Sequence, residues 1–170
     1  MEVLEKIRRG EVVVMPTDTV YGLACSAFNK DAIERMYEIK ERDRSKPFVF
    51  LISDIEDLSL FGIEYKKGME KYWPGPFSII LSCKTSLEYL HRGKNTLAIR
   101  LPNDENLINL LRKTGPLATT SCNKEGMEPA KNIDEAKKYF GDEAGFYLDK
   151  GVLFGKSSTI VDLSGKVFRE

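Results

Sequence analysis

Short apolar runs that end in polar residues alternate with segments of helical spacing, and this alternation most limits how the chain can fold. Runs of this length, bounded by glycine, proline or polar residues, are typical of buried strands. The predicted strands are Val12–Val14, Leu23–Cys25, Phe48–Ile52, Phe77–Cys83, Thr96–Leu101, Pro116–Thr120, Phe146–Leu148 and Thr159–Leu163. Several of them adjoin without a helix between them, so we expect a mixed, twisted α/β sheet flanked by helices rather than a purely parallel one.

Helices are predicted where apolar residues recur every three or four positions behind a capping residue. Asn29, Asp104 and Asn132 are such caps, and each begins a predicted helix. Ser53 with Glu56 forms a capping box that begins another. That helix is Ser53–Phe61, and two further helices are predicted at Val3–Ile7 and Lys66–Trp73. The last of these must stop at the two prolines that follow Trp73.

The composition predicts one globular domain, 1–170. Lys plus Arg and Asp plus Glu number 26 each, so no net charge favours nucleic acid and any anion site must be built locally. Cys25, Cys83 and Cys122 show no C-x-x-C spacing, which indicates free thiols in a reducing compartment. The charged N-terminus does not resemble a signal peptide, and no apolar window reaches the roughly 18 residues of a membrane span. We therefore expect a cytoplasmic protein without a membrane segment.

The stretch Met15–Leu23 presents polar groups directly after a buried strand. It contains the hydroxyls of Thr17, Thr19 and Tyr21 and the carboxylate of Asp18. The end of a buried strand is the usual ligand site of an α/β sheet. The alternative for this stretch alone is an ordinary turn that Thr17 and Asp18 merely hold.

More polar residues lie at the ends of other predicted strands. Four cations follow the second helix: Lys40, Arg42, Arg44 and Lys46. Acidic residues are interleaved with them, so a solvated charged loop is the alternative. Arg100 lies in an otherwise apolar strand, and because a buried cation needs a partner, we expect it to face a cleft that holds a carboxylate or phosphate. Hydroxyls and an amide occur in Thr119–Asn123 and Ser157–Thr159. Together these groups predict a cleft for phosphates and a small polar ligand.

Common catalytic signatures are missing from the sequence. Neither G-x-G-x-x-G after a strand nor G-x-x-x-x-G-K-[ST] is present, which excludes the dinucleotide fingerprint and the P-loop. His91 is the only histidine, so a His-rich metal site is excluded, and its position in a turn predicts a solvated residue. Nothing in the sequence brings Cys122 and His91 together as a nucleophile pair. The chain thus has no evident side-chain nucleophile.

Six motifs follow one another along the chain. They are Pro16–Leu23, Lys40-x-Arg42 before Lys46-Pro47, Trp73–Pro76, Ile99–Pro102, Ser121-x-Asn123 and Ser158–Asp162. Their order and spacing resemble the YrdC family, in the short single-domain form of the TsaC-type threonylcarbamoyl-AMP synthases. The likeness extends from Gly10 to Arg169, and it implies a YrdC-like sheet with a large concave cleft.

The resemblance implies an enzyme that joins L-threonine, bicarbonate and ATP into threonylcarbamoyl-AMP and releases diphosphate. A tRNA threonylcarbamoyl transferase complex would then carry the product's threonylcarbamoyl group to a tRNA adenosine. Mg²⁺ would enter with ATP as a substrate complex, so the resemblance implies neither a tightly bound cofactor nor a protein metal site. Nucleotidyl transfer depends on positioning and charge stabilisation, so the nucleophile can belong to the substrate. Residues 40–46 and 124–132 are the expected lids over the adenylate.

Motif positions imply roles for single residues. Lys40, Arg42 and Lys46 resemble a triphosphate clamp, with Lys40 and Arg42 as the catalytic pair. The rest of the implied ATP site is Thr96, Ser121, Asn123 and Arg169. The implied threonine site is Thr19, Tyr21, Arg100, Thr119 and Ser158, with Arg100 on the carboxylate.

Some positions depart from the family pattern. Asp43 and Thr120 stand where proline is usual, Cys122 replaces a small residue, and Glu128 replaces a serine. Two alternatives stay open: a YciO-like paralogue that acts on a preformed threonylcarbamoyl compound, and a module that binds RNA weakly. The intact Lys-x-Arg and Ser-x-Asn motifs favour the synthase, and the zero net charge disfavours RNA.

Overall fold

Nine strands form one mixed sheet in residues 2–169, the part of the chain that the computed structural model describes. The strands are β1 Val13–Pro16, β2 Tyr21–Ser26, β3 Val49–Leu51, β4 Phe77–Ser82, β5 Thr96–Arg100, β6 Leu117–Ser121, β7 Phe146–Tyr147, β8 Thr159–Val161 and β9 Val167–Arg169. Their order across the sheet is β7-β1-β2-β6-β3-β5-β4-β8-β9. The pairs β1/β7, β3/β5 and β4/β8 are parallel, and the other neighbours are antiparallel. The predicted mixed α/β sheet is confirmed.

Helices connect most of the strands. The α-helices are α1 Glu2–Arg8, α2 Lys30–Lys40, α3 Glu88–His91, α4 Glu105–Thr114 and α5 Ile133–Phe140, and Ile55–Phe61 and Met69–Lys71 are 3-10 helices. The caps predicted for α2, α4 and α5 are confirmed. Asn29, Asp104 and Asn132 each accept a hydrogen bond of 2.8 to 3.0 Å from a backbone N–H of the first turn. Within residues 2–169, no helix has the length and apolar character that crossing a membrane requires.

The first 3-10 helix differs from its prediction. Its N-cap is Asp54, and the Asp57 carboxylate accepts a hydrogen bond from the Asp54 N–H at 3.2 Å. The predicted capping box of Ser53 and Glu56 is therefore wrong. The same Asp57 oxygen also accepts from the N–H and the hydroxyl of Ser53, both at 2.8 Å, so one carboxylate closes the start of the helix.

Two further predictions were wrong for local reasons. Lys66–Trp73 is not an α-helix, because Gly68 has a φ of 109°, far outside the helical range. His91 is buried rather than solvated, and its Nδ1 accepts hydrogen bonds from two backbone N–H groups of the following turn. Strand β9 was not predicted, because all its side chains are exposed and give no apolar alternation.

Helices cover the two faces of the sheet unequally. On one face, α2, α5 and the first 3-10 helix pack against a large core that includes Phe50 and Ile99. On the other face, α1 and α4 pack against a smaller core that includes Ala24, Leu51 and Leu117. The second face continues beyond these two helices.

The uncovered part of the second face carries small and hydroxyl side chains. Thr119 pairs with Val49, and Val49 pairs with Ala98, so the three side chains lie on one face. Gly22 and Ser121 form the next pair on that face. This open surface, bordered by α4 on one side, holds the candidate site.

Candidate functional site

A cavity lies over the open part of the sheet. Its lining combines floor residues Gly22, Val49, Ala98, Thr119 and Ser121 with rim residues Thr17, Thr19, Arg42, Arg100, Ser157, Ser158 and Arg169. Its volume of about 80 Å³ is well below the roughly 300–1,000 Å³ of typical ligand sites. A nucleotide therefore needs space outside the cavity.

The segment Lys150–Ser158, here called the strap, narrows the cavity. It has no regular secondary structure, and its last two residues, Ser157 and Ser158, contribute to the lining. A Cβ built on Gly155 would lie 1.7 Å from the carbonyl oxygen of Thr19. Since no side chain fits there, the strap backbone rests directly on the turn between β1 and β2.

The Thr17 side chain closes that turn. Its Oγ1 accepts hydrogen bonds from the N–H groups of Thr19 and Val20, both at 3.2 Å, and donates to the Val20 carbonyl at 2.7 Å. These bonds fix the backbone on both sides of Asp18. Asp18 and Thr19 are thereby held at the edge of the cavity.

Arg100 ends β5 and is only 4% exposed. Its Nη2 pairs with the Asp18 carboxylate, its Nη1 donates to the Thr19 hydroxyl at 3.2 Å, and its Nε donates to the Gly75 carbonyl at 3.2 Å. A guanidinium has five N–H donors. These three contacts leave two N–H groups for a ligand. As predicted, Arg100 faces the cleft, but a carboxylate of the chain itself already pairs with it.

Tyr21, which we expected in the threonine site, does not line the cavity. It is fully buried in the core on the other face of β2. Its hydroxyl donates to the Gly151 carbonyl and accepts from the Lys150 N–H, both at 2.8 Å. The reason is the strand alternation, because Gly22 faces the cavity and its neighbour must face away. Tyr21 thus anchors the start of the strap.

Lys40, the last residue of α2, is buried against the end of β6. Its Nζ donates to the Ser121 carbonyl and, at 2.8 Å, to Oδ1 of Asn123. The Ser121 hydroxyl donates to the same Asn123 oxygen at 2.6 Å. Burial, with the nearby charge of Arg42, lowers the pKa of Lys40 to about 7. The structure thus brings the Lys-x-Arg and Ser-x-Asn motifs together.

Arg42 and Lys46 lie differently in the loop after α2. Arg42 lines the cavity, and its guanidinium donates to the carbonyls of Lys46 and Pro47 at 3.1 and 3.3 Å. It also lies over the Phe48 ring, 5.6 Å from the centroid. The Lys46 side chain is exposed and forms an ion pair of 3.0 Å with Glu125, outside the cavity. Of the two, only Arg42 already faces the cavity.

The short strand β9 brings Arg169 to the cavity. Its Nη2 donates to the Ser158 carbonyl at 3.0 Å, and the Ser158 hydroxyl lies 2.9 Å from that of buried Ser78. Arg169 is exposed as a residue, but loss of solvation around its guanidinium lowers its pKa, and the charges of Arg42 and Arg100 lower that pKa further. Three arginines therefore share one cavity, and the described lining residues include no Asp or Glu. Such a cavity attracts a polyanion.

The other predicted residues divide between the cavity and its surroundings. Thr119 lies on the floor and donates to the Val49 carbonyl at 3.3 Å. Thr96 lies at the far end of β5, opposite Ser82, and does not line the cavity. It is on the same face as Arg100, so only a ligand extended along the sheet would reach it.

Neither a thiol nor a metal cluster adds chemistry to the cavity. Burial raises the pKa of the Cys122 thiol to about 12, so it is not a nucleophile near neutral pH. His91 is in α3 and does not line the cavity. Across residues 2–169, no group of three or more His, Cys, Asp or Glu side chains is placed to hold a metal ion.

Sequence reasoning missed three features of the site. Asp18 pairs with Arg100, Gly155 rests on the turn at Thr19, and Ser78 lies against Ser158. The partners in each pair are at least 80 residues apart in sequence. A single sequence carries no local signal for such contacts.

The chain matches one family of known proteins over nearly its whole length. The Sua5_yciO_yrdC family model, described as "Telomere recombination", matches residues 5–170. A threonylcarbamoyl-AMP synthase of Pseudoalteromonas translucida (strain TAC 125) is 33% identical over 174 residues. That match covers 96% of this chain and 92% of the relative.

Two solved structures share the fold. P. abyssi Sua5, crystallised in complex with L-threonine, matches with a TM-score of 0.87 and 28% identity, over 96% of this chain and 50% of that one. The present chain thus spans about half of that protein. E. coli YciO matches with a TM-score of 0.88 and 27% identity, over 99% of this chain and 87% of that one.

Proposed function

The chain belongs to the Sua5/YciO/YrdC family, and from this membership we propose that it is a threonylcarbamoyl-AMP synthase. The enzyme joins L-threonine, bicarbonate and ATP into threonylcarbamoyl-AMP and diphosphate. The relative that carries this name matches over almost its whole length. The proposal includes a nucleotidyl transfer, which the geometry of the cavity supports as follows.

The reaction needs no side-chain nucleophile. The threonine amine combines with bicarbonate, water is lost, and a carbamate forms. A carbamate oxygen then attacks the α-phosphorus of ATP, and the bond to the bridging oxygen breaks so that diphosphate leaves. Positioning and charge stabilisation dominate such transfers. Mg²⁺ would enter on the ATP phosphates, since the described lining offers hydroxyls and cations but no carboxylate.

We assign the triphosphate to the cations around the loop after α2 and at β9. Arg42 and Arg169 line the cavity, and their forks can each hold two phosphate oxygens. Lys40 supplies a buried point charge beside the Ser121–Asn123 pair, which would contact the nucleotide. Arg42 and Lys40 stabilise the charge that develops as diphosphate leaves. Two outer contacts are also proposed: Lys46, after release from Glu125, and Thr96, along the same sheet face.

We assign L-threonine to the side of the cavity near β5. Its carboxylate takes the two N–H groups of Arg100 that the chain leaves open. The hydroxyls of Thr19, Thr119 and Ser158 line the same cavity and offer partners for the amine and hydroxyl of the substrate. A site built for that hydroxyl rejects valine, because its own polar groups would then be unpaired.

One observation carries the proposal: three arginines and a set of hydroxyls converge on one narrow cavity over the uncovered sheet face. Arginines suit a triphosphate and a carboxylate, and hydroxyls suit a small polar amino acid. Both substrates would therefore meet over the floor formed by β2, β6, β3 and β5.

The test is diphosphate release from Mg²⁺–ATP, with threonine and bicarbonate each omitted in turn. We expect release only when both are present, together with formation of threonylcarbamoyl-AMP. Replacing threonine by valine should abolish it, which controls for general ATP hydrolysis. Release that is independent of threonine would contradict the proposal.

The same assay separates the two alternatives. A YciO-like enzyme that uses a preformed threonylcarbamoyl compound would release no diphosphate on addition of threonine. An RNA-binding module would turn over no ATP, and its RNA affinity would fall steeply with salt. Under the proposal, the product passes to a tRNA threonylcarbamoyl transferase complex, and the reaction takes place in the cytoplasm.

A further inference from the structure

The three cavity arginines differ in their electrostatic partners. Within the described residues, Arg100 forms an ion pair with Asp18, whereas Arg42 and Arg169 donate only to carbonyl and hydroxyl oxygens. Asp18 and Arg100 are both nearly inaccessible, with side chains 10% and 4% exposed. The pair therefore lies away from the screening of bulk water.

Asp18 is fixed in place from several directions. The Thr17 hydroxyl closes the turn around it by bonding to the N–H groups of the next two residues. Its second carboxylate oxygen, Oδ2, accepts a hydrogen bond from the Asn103 N–H at 3.2 Å. Because one oxygen faces the backbone after β5 and the other faces Arg100, the carboxylate cannot turn without losing both contacts. The Asp18 carboxylate therefore holds the Arg100 guanidinium in place and is not displaced by a ligand.

The ion pair also changes what Arg100 attracts. An arginine fork binds carboxylate or phosphate in two-point fashion. Without Asp18, three uncompensated guanidinium groups would share the cavity and would favour the more highly charged phosphate. With Asp18, the pair is neutral overall, and two directed N–H donors remain for a singly charged group.

We propose that Asp18 is a positioning residue that determines specificity: it aims Arg100 at the substrate carboxylate and keeps phosphate groups away from the amino-acid side of the cavity. The phosphate side then remains with Arg42 and Arg169. This inference rests on the proposed function, and it adds a device that separates the two anionic substrates within one cationic cavity.

The test is Asp18→Asn, which keeps the shape of the side chain and removes its charge. At saturating ATP, the KM for threonine should rise about tenfold or more, the value for loss of a charge-assisted hydrogen bond network. The kcat should change less than about threefold, because Arg42 and Lys40 are untouched. Inorganic phosphate, varied against threonine, should inhibit the variant at roughly one-tenth of the concentration that inhibits the wild type.

A purely structural role for Asp18 would not strengthen phosphate inhibition, so this readout is decisive. An unchanged KM for threonine, a lower KM, or unchanged phosphate inhibition each overturns the inference. If the wild type itself shows no threonine-dependent diphosphate release, the proposed function fails, which is a separate result.

Two further variants complete the experiment. Glu11→Gln is the matched control, because it removes a carboxylate from a 3.2 Å ion pair with Lys6 outside the cavity. Its KM for threonine and its phosphate inhibition should equal those of the wild type. Arg100→Lys keeps a cation that can pair with Asp18, but an ammonium group cannot make the two-point contact of a guanidinium with a carboxylate. It should raise the KM for threonine without strengthening phosphate inhibition, and it decides the question if Asp18→Asn does not fold. A wild-type KM in Arg100→Lys overturns the inference.

Discussion

Replacing Gly155 by alanine should open the site by lifting the strap away from the turn at Thr19. The added Cβ would lie 1.7 Å from the Thr19 carbonyl oxygen and 2.7 Å from its carbon. Both are backbone atoms of a turn that the Thr17 hydroxyl holds rigidly. Gly155 does not have a positive φ, so the effect comes from the contact and not from the backbone conformation.

The size of the effect follows from that distance. Restoring a contact of 3.0 Å requires a shift of about 1.3 Å between the strap and the turn. Overpacking of this kind costs about 1–3 kcal/mol, which lowers the Tm of a chain this long by roughly 2–12 °C. Ser157 and Ser158 lie two and three residues after Gly155, so this part of the cavity wall moves with it. A misplacement of about 1 Å can cost up to 10²-fold in rate, and we expect kcat/KM for threonine to fall about 10- to 100-fold.

The assay is threonine-dependent diphosphate release, with melting curves of both proteins. Gly145→Ala is the matched control, because it also lacks a positive φ, and the nearest atoms to its Cβ are the Glu11 carboxylate and, at 3.0 Å, the Glu11 Cβ, which need shift by only a few tenths of an ångström. Both groups lie outside the cavity. That carboxylate can swing away, so kcat/KM should stay at the wild-type value. A Gly155→Ala protein with wild-type kcat/KM for threonine would refute the view that the strap shapes the site.

Three other changes test single contacts. Arg42→Ala should lower kcat by about 10²-fold or more, the usual cost of losing a donor that stabilises transition-state charge, and a kcat within about threefold of the wild type would remove Arg42 from the catalytic pair. Tyr21→Phe should lower the free energy of unfolding by about 0.5–1.5 kcal/mol in urea titrations, because the Lys150 N–H and the Gly151 carbonyl lose their partner. Its KM for threonine should change less than in Gly155→Ala, and a larger change would support the expected place of Tyr21 in the threonine site. Lys40→Met should inactivate the enzyme but stabilise the fold most at low pH. Since the pKa of Lys40 is about 7 in the folded chain and about 10.4 when unfolded, the burial penalty of the charged amine is present below about pH 7 and disappears as the pH rises toward 10. The gain in free energy of unfolding should therefore be larger near pH 6 than near pH 9, and a gain that is independent of pH would contradict the lowered pKa.

Features that depend on neighbouring residues were predictable from the sequence. Asn29, Asp104 and Asn132 cap their helices through side chains that reach only three residues along the chain. The strands were predictable for the same reason, because an apolar run indicates a buried strand whichever other strand it pairs with. The six ordered motifs gave the family. The prediction of an α-helix over Lys66–Trp73 was wrong because one glycine, Gly68, interrupts a helical pattern that continues on either side of it.

Features that depend on strand register were not predictable in this way. Thr19 and Tyr21 were assigned together to the threonine site, although Tyr21 and Gly22, as neighbouring positions of β2, face opposite sides of the sheet. In the structure, Gly22 lines the cavity and Tyr21 packs in the core. Likewise, the ion pair of Asp18 with Arg100 depends on how the turn after β1 and the end of β5 meet. No property of either segment alone specifies that meeting.

Strand β6 carries a sequence signal for the point at which the helices stop covering the sheet. Leu117, Thr119 and Ser121 occupy one face of this strand, two residues apart. Leu117 packs in the core under α4, Thr119 lies on the cavity floor, and Ser121 lies beside it. Along a single face the side chains thus change from apolar to hydroxyl, and because a buried hydroxyl without a partner is costly, a packing helix cannot extend over the second half. The change from apolar to hydroxyl side chains along one face of β6 therefore marks the boundary of the site. The same comparison along β2 places Ala24 under the helices and Gly22 in the cavity. A strand face that changes in this way predicts both where a helix stops and where a polar ligand can bind.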